Sequence, residues 1–189
     1  DSIEWAIESK VDLLKIASCS ANDWPLLENA SNANVPIVAS TGGLSINSID
    51  NLVSFFQHRA VDFALMHCIS VYPTKPKDCN LSFIKTLRRR YPKISIGWST
   101  HEPPEDSRLA IAAISCGAEL LERHICLPKE DKPQNAYSST PNELQNWLDN
   151  IEETNQILGV EEIKDRHEEI NSINLLSRGV YAKKDIKKG

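Results

Sequence analysis

Residues 94–102 read ISIGWSTHE, a short apolar run that ends in four polar side chains. A bounded run of this kind, with isoleucine and tryptophan, is typical of a buried strand in a parallel sheet. Four similar runs occur elsewhere in the chain: LLKIA at 13–17, PIVAS at 36–40, FALMH at 63–67 and LLERH at 120–124. The sequence therefore predicts five strands.

Amphipathic helical patterns separate or follow these strands. They cover 45–59, 81–90, 105–116 and 140–158, and the last opens on Thr140, Pro141 and Glu143, the signature of a capping box. Strands and helices that alternate every 25 to 30 residues or so, roughly the length of a βαβ unit, indicate a parallel α/β sheet. A (β/α)8 TIM barrel needs eight such units, so we expect a barrel that here lacks its first strands. An open doubly wound sheet is the alternative that periodicity leaves open.

The composition narrows the classes of partner. The chain has 189 residues, 41% of them hydrophobic, and a formal net charge of −5. A net acidic surface attracts neither nucleic acid nor anionic lipid, and no apolar run reaches the length of about 18 residues that predicts a membrane span. The five cysteines are scattered, which suits free thiols in a reducing compartment. We expect a cytoplasmic protein without a nucleic-acid or membrane partner.

Polar side chains lie at or just beyond the end of every predicted strand, the edge at which barrels and open α/β sheets bind ligands. In chain order they are Lys15 and Ser18, then Ser40-Thr41-Gly42-Gly43, then His67, Ser70 and Tyr72, then Ser99, Thr100, His101 and Glu102, and finally Glu122 and His124. Lys15 interrupts an apolar strand, where an unpaired charge is costly, so it is expected to meet an anion or a carbonyl group. The amides of Gly42 and Gly43 suit a phosphate or carboxylate.

Two of these residues, His101 and His124, follow neighbouring predicted strands. Adjacent parallel strands lie about 4.8 Å apart, so the two imidazoles can share one divalent metal ion. By contrast, His67 lies earlier within its strand and is expected to line the site or to support it.

Taken together, the motifs resemble the sialic acid (N-acetylneuraminate) synthase family. The resemblance rests on Lys15-Ile16-Ala17-Ser18, Ser40-Thr41-Gly42-Gly43, His67-Cys68, Tyr72-Pro73-Thr74, Gly97-Trp98-Ser99-Thr100-His101 and Leu121-Glu122-Arg123-His124, in the family's order and spacing. It implies a (β/α)8 barrel followed by a small antifreeze-like (SAF) domain. It also implies an enzyme that condenses phosphoenolpyruvate with N-acetylmannosamine or a related amino sugar, giving a sialic acid-type nonulosonic acid and phosphate.

The resemblance also implies roles for particular residues. His101 and His124 would bind a divalent ion, Mn²⁺ or alternatively Mg²⁺ or Co²⁺. The residues implied to bind phosphoenolpyruvate are Lys15, Ser18, Ser40, Ser70 and Ser99, and those implied to contact the sugar are Tyr72 and either Gln134 or Asn135. Lys15 and Glu122 are the candidate catalytic residues. Glu122 would carry a proton or support another residue of the site, and a salt bridge to Arg123 or another base is its alternative role.

Several acidic residues that are usual in the family are replaced in this chain. Ser20 stands near one such position, Thr100 precedes His101 where aspartate is usual, and the loop 134–138 offers amides where an aspartate usually contacts the sugar. The phosphoenolpyruvate half of the site is therefore expected to be retained and the sugar half altered. Two other functions remain open: an aldolase or lyase that forms a Schiff base on Lys15, and a non-catalytic binding protein derived from the synthase.

The domain organisation is predicted from a change in composition after Gly159. Residues 1–160 are expected to form the later part of the barrel, and 161–189 a helical segment and connector. The resemblance implies that this connector leads toward an antifreeze-like domain. In that region a helix is predicted over 161–170 and a short strand over 178–182. The chain begins without methionine and ends on Lys187-Lys188-Gly189, so we expect a piece of a longer protein. The resemblance to the synthase family implies a homodimer when the protein is full-length.

Overall fold

A computed structural model describes residues 2–160, 162 and 166–189. The chain divides into two compact units, Asp1–Leu158 and Gly159–Gly189. The first unit contains the strands β1 Leu14–Ile16, β2 Ile37–Ser40, β3 Phe63–Cys68, β4 Ile96–Thr100 and β5 Leu120–Arg123. Its helices are α1 Ser2–Glu8, α2 Trp24–Ser31, α3 Ile46–His58, α4 Ser82–Arg90, α5 Arg108–Ser115 and α6 Pro141–Leu158. None of the described helices is both long enough and apolar enough to cross a lipid bilayer.

The five strands form one parallel sheet in the order β1-β2-β3-β4-β5. All five predicted strands are confirmed, with ends that differ by no more than two residues. A doubly wound sheet reverses its strand order at a switch point, and this order has none. The sequential order is that of a (β/α) barrel.

The sheet is strongly curled. Lys15 lies on the edge strand β1 and Glu122 on the opposite edge strand β5, yet Lys15 Nζ is 3.3 Å from Glu122 Oε2. In a flat sheet, four strand spacings of about 4.8 Å would separate these two strands by about 19 Å, more than the two side chains can span. The first unit is therefore a partial (β/α) barrel.

Alternation along the strands sorts the side chains onto two faces. The face that packs against helices α2 to α5 carries the apolar core, formed on the strands by Leu14, Ile16, Ile37, Ala39, Leu65, Ile96 and Trp98. The opposite face, called here the inner face, carries the residues between them, including Lys15, Ser40, Ser99 and Glu122. Gly97 also lies on this face, where a Cβ atom would come within 2.5 Å of the Leu120 carbonyl oxygen.

The helix caps follow the sequence signals closely. Ser45 accepts a hydrogen bond from the Ser48 amide at 3.1 Å and starts α3. At α6 the predicted capping box is confirmed: Glu143 Oε2 accepts from the Thr140 amide at 2.7 Å, and Thr140 Oγ1 accepts from the Glu143 amide at 3.4 Å. Helices α1 and α2 were not predicted, although Asp23 caps α2 by accepting from the Leu26 amide.

In the second unit, the described residues contain one helix, α7 His167–Leu176. The helix predicted over 161–170 overlaps it, although positions 161 and 163–165 lie outside the described residues. The strand predicted over 178–182 is wrong, because those residues form no strand; an isolated extended segment has no neighbour to complete its hydrogen bonds. The assignment of this unit as a linker toward an antifreeze-like domain stays a prediction.

Candidate active site

The carboxyl ends of the strands bring a lysine, a serine and a glutamate together on the inner face. Lys15 Nζ donates to Ser40 Oγ at 2.8 Å and lies 3.3 Å from Glu122 Oε2, so strands β1, β2 and β5 meet at this ammonium group. Ser99 is buried on the same face and pairs in register with Glu122. Lys15 Nζ also donates to the Ile16 carbonyl oxygen at 3.2 Å. The expectation that Lys15 meets an anion or a carbonyl group is thus met inside the protein by Glu122 and Ile16.

Beside this lysine, two hydroxyls crowd against the backbone that follows β2. The Gly42 amide donates to Ser18 Oγ at 3.0 Å. A Cβ atom at Gly42 would lie 2.7 Å from Ser18 Oγ and would overlap Ser70 Oγ. Glycine is therefore needed here because the chain passes close to both hydroxyls. The cluster offers hydroxyl donors next to a cation, a combination that suits a phosphate or carboxylate group.

The two predicted metal ligands lie side by side. His101 directly follows β4 and His124 directly follows β5, and their ring centroids are 5.2 Å apart. His101 is buried, and its Nδ1 lies 3.0 Å from the Ile69 carbonyl oxygen. Because a carbonyl only accepts, Nδ1 carries the proton and Nε2 keeps its lone pair.

The surroundings of His124 favour its neutral form. Burial, followed by the neighbouring His101, lowers the pKa of His124, which favours the neutral imidazole that binds metals. Among the described residues, no group of three or more histidine, cysteine, aspartate or glutamate side chains converges here. Two imidazoles fit a divalent ion whose remaining positions are open to substrate or water.

Two tyrosines cover the histidine pair. The Tyr72 ring centroid lies 4.2 Å from that of His101, and the Tyr137 centroid lies 5.2 Å from that of His124. The tyrosine centroids are 5.3 Å apart. Of the two tyrosines, the sequence indicated only Tyr72 as a site residue. Tyr137 lies in a loop of polar residues, and its aromatic side chain was the one feature that could have drawn attention to it.

The loop that presents Tyr137 is held by its own amide side chains. Gln134 Nε2 donates to Glu143 Oε2 at 2.7 Å, and Asn135 Oδ1 accepts from the backbone amides of Tyr137 and Ser138 at 3.0 and 2.8 Å. Both side chains thus stabilise the loop, and contact of either one with a sugar stays a prediction.

The salt bridge that the sequence offered as the alternative role of Glu122 is formed with a base other than Arg123, namely Lys15, at 3.3 Å. Arg123 lies on the opposite face of β5 and pairs with Glu102 at 2.9 Å. The expected place of His67 requires correction. His67 does not reach the site, because it faces the helix layer. There its Nε2 lies 2.9 Å from the Cys79 carbonyl oxygen, its ring packs against Trp98, and burial lowers its pKa.

The curled parallel sheet defines a protein with a partial (β/α) barrel, and its lysine, hydroxyls and histidine pair form the candidate site at the strand ends. The profile of the NeuB family matches residues 1–163. The chain therefore belongs to the NeuB family.

Individual relatives agree with this assignment. The chain is 40% identical over 146 residues to an N-acetylneuraminate-9-phosphate synthase from Drosophila melanogaster, covering 76% of this chain and 39% of the relative. It is 27% identical over 193 residues to an N,N'-diacetyllegionaminic acid synthase from Campylobacter jejuni, covering 100% of this chain and 57% of the relative. The chain thus spans between 39% and 57% of the length of these two relatives.

Solved structures show the same fold. A protein from Chromobacterium violaceum assigned as spore coat polysaccharide biosynthesis protein E superposes with a TM-score of 0.90 at 38% identity, over 94% of this chain and 53% of that chain. An N-acetylneuraminic acid synthetase from Leptospira borgpetersenii, crystallised with citrate, gives a TM-score of 0.79 at 32% identity, over 87% of this chain and 57% of that chain.

Proposed function

We propose that the protein carrying this chain condenses phosphoenolpyruvate with an N-acetylated hexosamine, N-acetylmannosamine or a related sugar, to give a nonulosonic acid and phosphate. The observation that carries the proposal is the placement of Lys15, Ser40 and Glu122 in mutual contact, and of the His101–His124 pair, at the carboxyl ends of the strands of one curled sheet. The relatives are named for different products, neuraminic and legionaminic acids. This supports the class of reaction and leaves the particular sugar open.

The proposed roles follow from the contacts. Lys15, with Ser18, Ser40, Ser70 and Ser99 around it, would hold the phosphate and carboxylate of phosphoenolpyruvate, which positions its methylene carbon and stabilises charge. That carbon would attack the aldehyde carbon of the open-chain sugar, water would add to the resulting cation, and phosphate would leave. Glu122 lies beside the lysine, where it would take the proton of the added water.

His101 and His124 would hold a divalent ion, with Mn²⁺ first and Mg²⁺ or Co²⁺ as alternatives. When bound, such an ion supplies Lewis-acid polarisation of the sugar aldehyde. The two tyrosine rings over the histidines would exclude water on that side and contact the sugar. The cytoplasmic location and the homodimer stay predictions.

The test is release of inorganic phosphate by the intact protein, with Mn²⁺, phosphoenolpyruvate and a panel of N-acetylated hexosamines. At least one sugar is expected to trigger phosphate release together with a product whose mass equals the sum of the sugar and pyruvate. Failure with every sugar, in protein shown to bind Mn²⁺, would contradict the synthase and favour a non-catalytic binding protein.

A Schiff-base aldolase is the second candidate function, and borohydride trapping distinguishes it from the synthase. Borohydride reduction in the presence of a carbonyl substrate would leave a covalent adduct on Lys15 if that residue formed an imine. We expect no adduct, because Lys15 pairs with the carboxylate of Glu122, whereas catalytic lysines are activated by apolar or cationic surroundings.

Replacing Gly42 with alanine is expected to weaken phosphoenolpyruvate binding. The new methyl group would displace the hydroxyls of Ser18 and Ser70. Overpacking of this kind costs about 1–3 kcal/mol, and if that cost falls on binding, KM for phosphoenolpyruvate rises by about 5- to 140-fold. Gly43→Ala is the matched control, because Gly43 has a φ of +75° but a Cβ atom added to it would meet no other atom within 4 Å. Equal effects of the two changes would mean that backbone conformation, and not space beside the hydroxyls, is limiting.

A further inference from the structure

A buried ion pair lies directly behind the two histidines. Glu102 follows His101 in the chain, and Arg123 precedes His124, so each histidine is covalently adjacent to one member of the pair. The contacts of the two groups differ: the histidines pack against each other and the tyrosines, whereas Arg123 lies over Trp147 of α6. Arg123 Nη1 donates to Glu102 Oε1 at 2.9 Å, and the side chains are 1% and 0% exposed.

Arg123 ties four segments together at this point. Its Nη2 donates to the Pro103 carbonyl at 3.0 Å and its Nε donates to Ser139 Oγ at 2.5 Å. Its guanidinium lies over the Trp147 ring of α6, 5.4 Å from the centroid. The Ser139 amide in turn donates to the carbonyl of His124 at 2.9 Å. The backbone on both sides of the histidine pair is thus fixed by one side chain.

The pair is poorly explained as a device for stability alone. Desolvating two charges costs as much as, or more than, their attraction returns, so apolar residues of similar size often stabilise a protein equally well. In addition, Glu102 Oε2 is buried without a hydrogen-bond partner among the described residues. An ion pair does fix the orientation of its two side chains, because the planar guanidinium donates its hydrogen bonds in only a narrow range of geometries.

We propose that Glu102 and Arg123 are positioning residues that set the spacing and orientation of His101 and His124 for a shared divalent ion. The inference rests on the proposed function, in which the histidines hold that ion. Neither residue touches the ion or the substrate; they act through the backbone of the residues beside them. Mutation of groups that orient metal ligands in this way typically lowers metal affinity by about 10- to 100-fold.

The test measures binding of Mn²⁺ alone by electron paramagnetic resonance, and the visible spectrum of bound Co²⁺, in the intact protein. Glu102→Gln and Arg123→Lys are expected to weaken Mn²⁺ binding by about 10- to 100-fold and to change the Co²⁺ spectrum. Arg90→Lys is the matched control, because Arg90 forms a two-bonded ion pair with Asp50 at 2.7 and 2.6 Å, away from the histidines. It is expected to leave both readouts unchanged.

A double change, Glu102→Leu with Arg123→Met, separates positioning from folding. It removes both charges together, so the protein is expected to keep its thermal midpoint within a few degrees and still to bind Mn²⁺ weakly. Wild-type affinity in this double variant or in Glu102→Gln would overturn the inference, because the charges would then be dispensable. If the wild type itself bound no Mn²⁺, the metal assignment in the proposed function would be what failed.

Discussion

Replacing His101 with alanine is expected to abolish Mn²⁺ binding and to reduce phosphate release by about 1,000-fold or more, because Lewis-acid stabilisation supplies several kcal/mol in the transition state. His101 is the more constrained of the two candidate ligands. It is 4% exposed, and its Nδ1 is committed to the Ile69 carbonyl, which leaves Nε2 for the ion. Equilibrium dialysis against Mn²⁺ and the phosphate-release assay measure the two effects.

Two further variants make this result specific. His124→Ala is expected to give the same loss, because two ligands bind one ion. His58→Ala is the control, since His58 is exposed at the end of α3 and forms hydrogen bonds with Ser54 of its own helix. Undiminished Mn²⁺ binding in His101→Ala would argue against the metal site and would favour a non-catalytic role for this edge of the sheet.

The strand order and the histidine pair were predictable because they follow from local signals. Apolar runs fix where strands lie, and the ends of parallel strands meet at one edge whatever the details of packing. That rule alone was enough to predict that His101 and His124 lie close together. The same rule, with the two-residue period of a strand, would have separated Glu122 from Arg123, since neighbours on a strand face opposite sides.

Other features depend on contacts that are distant in sequence. The partner of Glu122 is Lys15, 107 positions earlier by subtraction of their numbers, and they meet because the sheet curls. Asn135 was expected near a sugar because of its place in the loop. Its side-chain oxygen accepts hydrogen bonds from that loop's backbone, a structural role that a single sequence does not reveal because asparagine serves in turns as well as in binding sites.

The helix α2 illustrates a different limit. It has eight residues, Trp24–Ser31, and buries only Leu27 and Ala30. Two buried positions in two turns give too little periodicity to stand out from the surrounding polar sequence. The capping residue Asp23 and a proline in the first turn are typical of a helix start. They could be recognised as such only once the packing of the helix against the sheet was known.

Replacing Lys15 with alanine is expected to lower kcat/KM for phosphoenolpyruvate by about 100- to 1,000-fold, the range found when one preorganised charge-stabilising donor is removed. The loss has two physical sources. The anion loses its cation, and the carboxylate of Glu122, now unpaired, repels the incoming phosphate. Steady-state kinetics at saturating sugar, with phosphoenolpyruvate varied, measure the combined effect, and Lys85→Ala on the exposed surface of α4 is the control.

The two sources separate in a double-mutant cycle. If Glu122 acts only through its charge, Glu122→Gln in the Lys15→Ala background restores part of the lost affinity for phosphoenolpyruvate, because the repulsion disappears with the carboxylate. If Glu122 also carries a proton, kcat falls in the single variant Glu122→Gln even where Lys15 is intact, while KM for phosphoenolpyruvate changes little. An unchanged kcat/KM in Lys15→Ala would contradict the placement of phosphoenolpyruvate at this lysine, because no other described lysine side chain bonds to the hydroxyls of the site.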